Sequence, residues 1–344
     1  MTCFSSGDFE VTAVATNTLA LPLHNRMSEG DFARIADVLS AIAFVVTGQS
    51  FRGKEGSNHH DDGGRGKVMS HESAPGASSA GGLPRYQPAA GGPGVTVRGL
   101  RKKFGDKEAV AGIDLEIAAG SLAGLVGPNG AGKTTSLSMM TGLLRPDGGQ
   151  VLVNGLDVWA DPPAAKAIMG VVPAEVRLFE RLSGEELLEY SGRLRGLPAA
   201  EARSRAAQLL DVLDLTEDAN RLVADYSTGM RKKAALGCAL IHNPSMLLLD
   251  EPLEGVDPVS ADVIRRLLTR FVASGSTVLF SSHVMELVEQ VCDHVSIIDK
   301  GKIVASGTTD EVRGGKTLQR AFIDLVGPRA RDKEVLSWLG SSSS

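Results

Sequence analysis

Two regimes of hydrophobic patterning meet near residue 94. Before it, 50–94 is dominated by Gly, Ser, Pro, His and Asp and is almost empty of large apolar residues. Such a stretch buries too little surface to offset its ordering entropy, so 1–94 is predicted to be a low-complexity, disordered leader. Within it, 31–46 has the spacing of one short helix. Another reading puts the natural start downstream, at Met27 or Met69. Beyond residue 94, short apolar runs at 95–97, 109–117, 122–126 and 150–153 read as strands, and a helix is expected to begin near Gly132. The pattern then turns helical over 183–224. Leu187, Leu188 and Leu194 share one face of a first helix, and Ala206, Leu209, Leu210 and Leu213 one face of a second. Ser183 with Glu186 three residues on fits a capping box. Strand and helix patterns then alternate at 246–249, 258–273, 277–280, 285–291 and 294–298. That alternation predicts an α/β fold with a mainly parallel sheet covered on both faces. The tail over 328–344 ends in four serines and is predicted to be loose; no internal repeat is present.

Composition narrows the class. A 344-residue chain with 42% apolar residues can build one large domain or two smaller ones. Basic residues number 36 against 41 acidic, a net charge of −5, which speaks against a broad basic surface; no nucleic-acid partner is expected. Cys3, Cys238 and Cys292 are far apart and odd in number, without disulfide or zinc spacing, so a reducing compartment is the simplest setting. The longest apolar run, 38–46, is broken at Ser40 and falls well short of the roughly 20 residues of a membrane span. No charged segment followed by an apolar run opens the chain. The chain is therefore expected neither to be secreted nor to cross a membrane by itself. Forty glycines exceed what helices and strands use, and imply loops or backbone lying close to a ligand.

Chemistry concentrates at two places. The segment Gly127, Pro128, Asn129, Gly130, Ala131, Gly132, Lys133, Thr134, Thr135 matches the phosphate-loop pattern GxxxxGK[ST], between an apolar strand and a helical run. Glycines let successive N–H groups converge on phosphate oxygens, and the helix start adds its positive dipole end. Lys133 is expected to reach the β- and γ-phosphates, and the Thr134 hydroxyl to ligate Mg²⁺. Downstream, the apolar run 246–249 ends in Asp250 and Glu251. Ligands of open α/β sheets gather at the carboxyl ends of strands. Asp250 is expected to hold Mg²⁺ through water, and Glu251 to act as general base on an attacking water. Two adjacent carboxylates repel and are costly to desolvate unless a cation is near. Alone the pair would read as an ordinary solvated strand end, and the phosphate loop over a hundred residues upstream favours the functional reading.

Between the two motifs lies Tyr226-Ser227-Thr228-Gly229-Met230-Arg231-Lys232-Lys233. Taken alone it is a small-residue helix start. Some twenty residues before the acidic strand, it resembles the LSGGQ signature of ATP-binding-cassette (ABC) ATPases, and its YSTGM form looks like the cassettes of ABC-2-type exporters. The resemblance covers about 95–327, and implies a P-loop ATPase of ABC type with a mainly parallel core, an antiparallel β subdomain and a helical subdomain near 183–225. It implies ATP and Mg²⁺ as ligands, and a homodimer of cassettes that sandwiches ATP between the P-loop of one copy and the signature of the other. It also implies separate integral membrane permease subunits, and a cytoplasmic location on the inner face of the cell membrane. Phe104 takes the place of the adenine-stacking aromatic, Ser227 and Gly229 the γ-phosphate-facing signature positions. Asp257 resembles the aspartate that contacts the partner subunit, although an Asp before Pro258 is also a good helix cap. His283 resembles the switch histidine at the γ-phosphate. The stretch 317–327 looks like the closing helix of exporter cassettes. One position departs from the family: where Gln is usual, this chain has Ala174, with Glu175 beside it. Hydrolysis, slowed by that change, is expected to drive an exporter. Two alternatives stand beside it: a soluble single-cassette ATPase acting as a conformational switch in an assembly complex, and a binding module that has lost hydrolysis.

Overall fold

The computed structural model describes residues 92–327; the predicted leader helix at 31–46 and the predicted loose tail lie outside the described residues. Among the described residues ten strands form two sheets. The first is antiparallel. A long hairpin, β1 (Pro93–Phe104) and β2 (Lys107–Ala118), pairs through β1 with β4 (Gly148–Val153), which pairs with β5 (Leu156–Asp157). The second has the order β10-β9-β3-β8-β7-β6. In it β3 (Leu122–Val126), β6 (Met169–Val172), β7 (Met246–Asp250), β8 (Thr277–Ser282) and β9 (His294–Asp299) run parallel, and β10 (Lys302–Thr308) is an antiparallel edge. The expected mainly parallel core is therefore present. β10 escaped the sequence reading because its residues are mostly half-exposed and polar, as an edge strand tolerates.

The parallel strands are buried on both faces, and their side chains sort by alternation. Ala123, Leu125 and Leu279 join Val97, Leu115, Val151 and the helix α1 (Lys133–Met140) in a core between the two sheets. Leu122, Val126, Val278 and Phe280 face the other way, into a core with Leu187, Leu210, Leu236 and Ile297. The second core holds the helical part: α3 (Gly184–Leu194), α4 (Ala199–Val212) and α5 (Thr228–Leu240). α2 (Pro162–Ala167) precedes β6, and α6 (Pro258–Ala273), α7 (Met285–Val291), α8 (Thr309–Arg313) and α9 (Leu318–Val326) follow in the rest of the described residues.

The predicted Ser183–Glu186 capping box forms, with both reciprocal hydrogen bonds. Leu187, Leu188, Ala206, Leu210 and Leu213 are buried as expected, but Leu194 is exposed. It is the last residue of α3, and Leu197, beyond the turn at Gly196, fills the space beside Gly192 instead. The helical excursion closes on itself: Ser183 bridges Leu222, and the Tyr226 hydroxyl donates to the Asp218 carbonyl at 2.8 Å. A Cβ on Gly184 would lie 2.0 Å from that hydroxyl, so the signature tyrosine packs directly on the first residue of α3.

Candidate nucleotide site

Strand order determines which loops meet. β3 lies beside β8, and β8 beside β7, so the segments leaving their carboxyl ends are neighbours. Those segments carry the phosphate-loop motif, His283, and Asp250 with Glu251.

The loop leaving β3 is clamped from behind by the turn between β9 and β10. The Gly301 N–H donates to the Ala131 carbonyl at 2.8 Å, and the Ala111 N–H to the Gly301 carbonyl at 2.8 Å. The clamp leaves no room for side chains. A Cβ on Gly127 would stand 2.3 Å from the Ile298 carbonyl oxygen, and one on Gly132 2.6 Å from that of Ala109. Gly132 also has φ +110°, and caps α1 with no side chain bonded to its first-turn amides. Ser227 does the opposite for α5, its hydroxyl accepting the Met230 N–H. The amides opening α1 are thus left to whatever anion arrives.

Lys133 is almost wholly buried. Its Nζ donates to the Gly127 carbonyl at 2.8 Å and lies 3.4 Å from Glu251 Oε1. Thr134, one residue on, is exposed. Its neighbourhood is a cavity of about 430 Å³ that Asp250, Leu137 and Ala174 also line. A hydroxyl and a carboxylate facing one cavity beside a phosphate-binding loop fit Mg²⁺, which takes few protein ligands and keeps phosphate oxygens and waters. Among the described residues no cluster of three or more His, Cys, Asp or Glu exists that would form an all-protein cage.

Asp250 and Glu251 are both buried and held by one hydroxyl. Ser281 Oγ donates to Asp250 Oδ1 and accepts the Glu251 N–H at 2.9 Å. Glu251 has φ +47°, the left-handed region that a side chain other than glycine seldom adopts. Its carbonyl accepts from Lys232 Nζ at 2.6 Å. Its carboxylate sits between two nitrogen groups, Lys133 on Oε1 and His283 Nδ1 on Oε2 at 3.1 Å. Burial lowers the pKa of Lys232, with Glu254, Glu251 and Asp250 pulling it back up.

Lys133, Asp250, Glu251 and His283 thus come together, with Thr134 across the cavity. Phe104 stands apart at the β1–β2 hairpin end, 52% exposed, with Lys102 Nζ 5.8 Å from its ring centre. Ser227 is exposed at the start of α5. Gly229 has a task within its own chain that the sequence reading missed: a Cβ there would lie 2.9 Å from Asp257 Oδ2 and 3.0 Å from Ser260 Oγ. Asp257 caps α6 by accepting the N–H groups of Val259 and Ser260, and the bonds from Ser260 lower its pKa. Glu175, beside Ala174, also lines that cavity; its side chain is exposed and its carboxylate pairs with Arg177 at 2.8 Å.

Two residues of the site went unnoticed in the sequence. Ser281 follows the apolar run 278–280 at the end of β8, and the parallel register sets it opposite Asp250. Lys232 stands between Arg231 and Lys233 in the first turns of α5, so nothing local separates it from a solvated basic run.

A phosphate loop between a buried parallel strand and a helix, beside an acidic strand end, defines a P-loop ATPase of the α/β class. Comparison with known proteins narrows the class. Residues 110–254 match the family described as "ABC transporter". The chain is 40% identical over 219 residues to the daunorubicin resistance ATP-binding protein DrrA3 of Streptomyces coeruleorubidus, covering 64% of this chain and 69% of that protein. It is 37% identical over 223 residues to the ABC transporter ATP-binding protein NatA of Bacillus subtilis (strain 168), covering 63% of this chain and 91% of NatA. A solved ATP-binding subunit of an ABC transporter superposes with a TM-score of 0.63 at 28% identity, over 67% of this chain and 98% of that one. The chain belongs to the ABC transporter family, as one of its ATP-binding proteins, and is an ATPase.

Proposed function

We propose that this chain is the ATP-hydrolysing subunit of an ABC-2-type exporter, working as a pair of copies around ATP and driving separate integral membrane permeases from the cytoplasmic face. The observation that carries the reading is the meeting of Lys133, Asp250, Glu251 and His283 at the carboxyl edge of the parallel sheet. Similarity to resistance proteins named for daunorubicin and linearmycin supports the exporter class. Among the described residues no helix is long and apolar enough to cross a membrane; in this reading other chains carry the transport path. The ATPase domain would be 95–327, with 183–225 as the helical subdomain that docks the permease.

In this reading the amides of 127–135 and the Lys133 ammonium hold the β- and γ-phosphates. Thr134 and Asp250 would hold Mg²⁺, which supplies charge neutralisation on the phosphate oxygens. Glu251 takes the proton of the attacking water, and His283 orients that water or the γ-phosphate. Lys133 already contacts Glu251, so an arriving phosphate would draw the ammonium away and leave the carboxylate to water. Phe104 stacks on the adenine. Ser227 and Gly229 of a second copy cover the γ-phosphate, and Asp257 meets that copy while capping its own helix. Phosphoryl transfer needs positioning and charge more than covalent chemistry, so an active pair is complete only when closed.

Phosphate release by the purified chain tests the enzymatic part. Glu251→Gln is expected to fall at least about 10²-fold below wild type, the lower end of what a general base contributes; equal rates would remove the claim. Affinity capture from membranes tests the transport part. Recovery of an integral membrane protein is expected, and consistent recovery of a ribosome or soluble assembly instead would favour the conformational-switch alternative.

A further inference from the structure

We propose that Lys232 is a positioning residue for hydrolysis: its ammonium holds the Glu251 backbone in the left-handed geometry that directs the Glu251 carboxylate between Lys133 and His283. This rests on the reading of Glu251 as the base.

Three hydrogen bonds hold the Glu251 peptide groups. The N–H is fixed by Ser281 from β8, and the carbonyl accepts from the Glu254 N–H at 3.2 Å and from Lys232 at 2.6 Å. The Glu254 bond is a local turn contact; Lys232 is the long-range anchor, nineteen residues away on α5. Without such anchors a glutamate has little reason to stay at φ +47°. Lys232 is itself buried, and a buried ammonium persists only where acceptors and negative charge compensate it. Here they are one carbonyl and the acidic groups Asp250, Glu251 and Glu254. The adjacent Lys233, also buried, turns elsewhere and donates to the Asp214 carbonyl at 3.0 Å. One lysine thus fastens α5 to the helical hairpin and the next fastens it to the acidic loop.

A second contact binds the same loop to the same helix. Gly229 lies against Asp257 and Ser260 so closely that a methyl group would collide with both. The segment 251–257 is therefore held at one end by Lys232 and at the other by Gly229, both on the first turns of α5. Any displacement of the helix that carries Ser227 reaches the Glu251 carbonyl through a single side chain.

The test uses the full chain with Lys232→Met, Lys232→Arg and Glu251→Gln, and the Lys232→Met/Glu251→Gln double variant. Phosphate release, equilibrium ATP affinity and thermal midpoint are read for each. Lys232→Met is expected to lower kcat by about ten- to 10²-fold, the scale of a misplaced reacting group, with ATP affinity and midpoint unchanged. Lys232→Arg, which keeps a cationic donor, recovers most of the loss. The double variant is no slower than Glu251→Gln alone, because residues acting as one unit are non-additive. A Lys232→Met kcat equal to wild type while Glu251→Gln is slow would overturn the proposal, as would losses that multiply in the double variant. Loss of affinity and midpoint together with kcat would show a structural role and overturn it too. Wild-type turnover in Glu251→Gln would remove the base reading and this inference with it. If Lys232→Met does not fold, Lys232→Gln is judged by the same criteria.

Discussion

Removing one hydroxyl, by Ser281→Ala, should disturb both acidic residues of the site. Ser281 is fully buried, and its Oγ serves Asp250 as donor and Glu251 as acceptor. Alanine leaves the Glu251 N–H without its partner and takes a neutral donor from the buried Asp250 carboxylate. Losing a hydrogen bond to a charged group costs about 1.5–3 kcal/mol, and stranding a buried donor about 1–3 kcal/mol. Both losses pass through one atom and relax together, so the expected total is about 2–4 kcal/mol, large for a single serine. Urea unfolding of the full chain without nucleotide is the assay, with the shift read in the midpoint at constant slope. Turnover should fall with it, because Glu251 loses one of the bonds that keep its backbone at φ +47°. A stability change below about 0.5 kcal/mol, the size of an ordinary surface substitution, would refute the reasoning.

Lys133→Ala is expected to abolish ATP binding in a fluorescent-nucleotide titration, and retained affinity would contradict the phosphate-loop reading. Phe104→Ala should leave stability unchanged, since the ring is 52% exposed, while weakening ATP by about 0.5–1.5 kcal/mol, up to roughly tenfold; unchanged affinity would remove the stacking role. His242, away from the site, predicts a pH effect. Burial above all, with Arg195 nearby, lowers its pKa from 6.5 to about 3. The unfolded chain therefore takes up a proton below pH 6.5 that the folded chain refuses until about pH 3. Stability contributed by the neutral ring is full above that window and declines as pH falls through it, by about 1.4 kcal/mol per pH unit. Urea unfolding at stepped pH should show wild type losing stability relative to His242→Gln between pH 6 and 4, and parallel curves would contradict it.

What could be read from the chain, and what could not, divides by physical cause. Strands buried on both faces, such as β3 and β7, announce themselves as unbroken apolar runs, and α6 by Asp257-Pro258 at its start. The phosphate loop is legible because close backbone packing at Gly127 and Gly132 leaves no other residue type possible. Half-buried β10 and the two-residue β5 carry too little pattern to be seen. At the site, the residues that sequence motifs name were legible, and those that bond the backbone of another residue were not. Ser281 and Lys232 owe their place to parallel register and to the packing of α5 on the acidic loop, which no local spacing encodes. Leu194 shows the converse error: helical periodicity put it on the buried face, but the helix ends there and Leu197 takes the space.

The proposed function puts a triphosphate against the amides of 127–135 and the Lys133 ammonium, with a second copy closed over it. A crystal structure of Glu251→Gln grown with ATP and Mg²⁺ tests it most directly. Phosphates are expected against that loop, with Ser227 and Gly229 of another copy on the γ-phosphate. Nucleotide seated elsewhere, or a loop occupied only by Lys133 and its own carbonyls at saturating ATP, would contradict it.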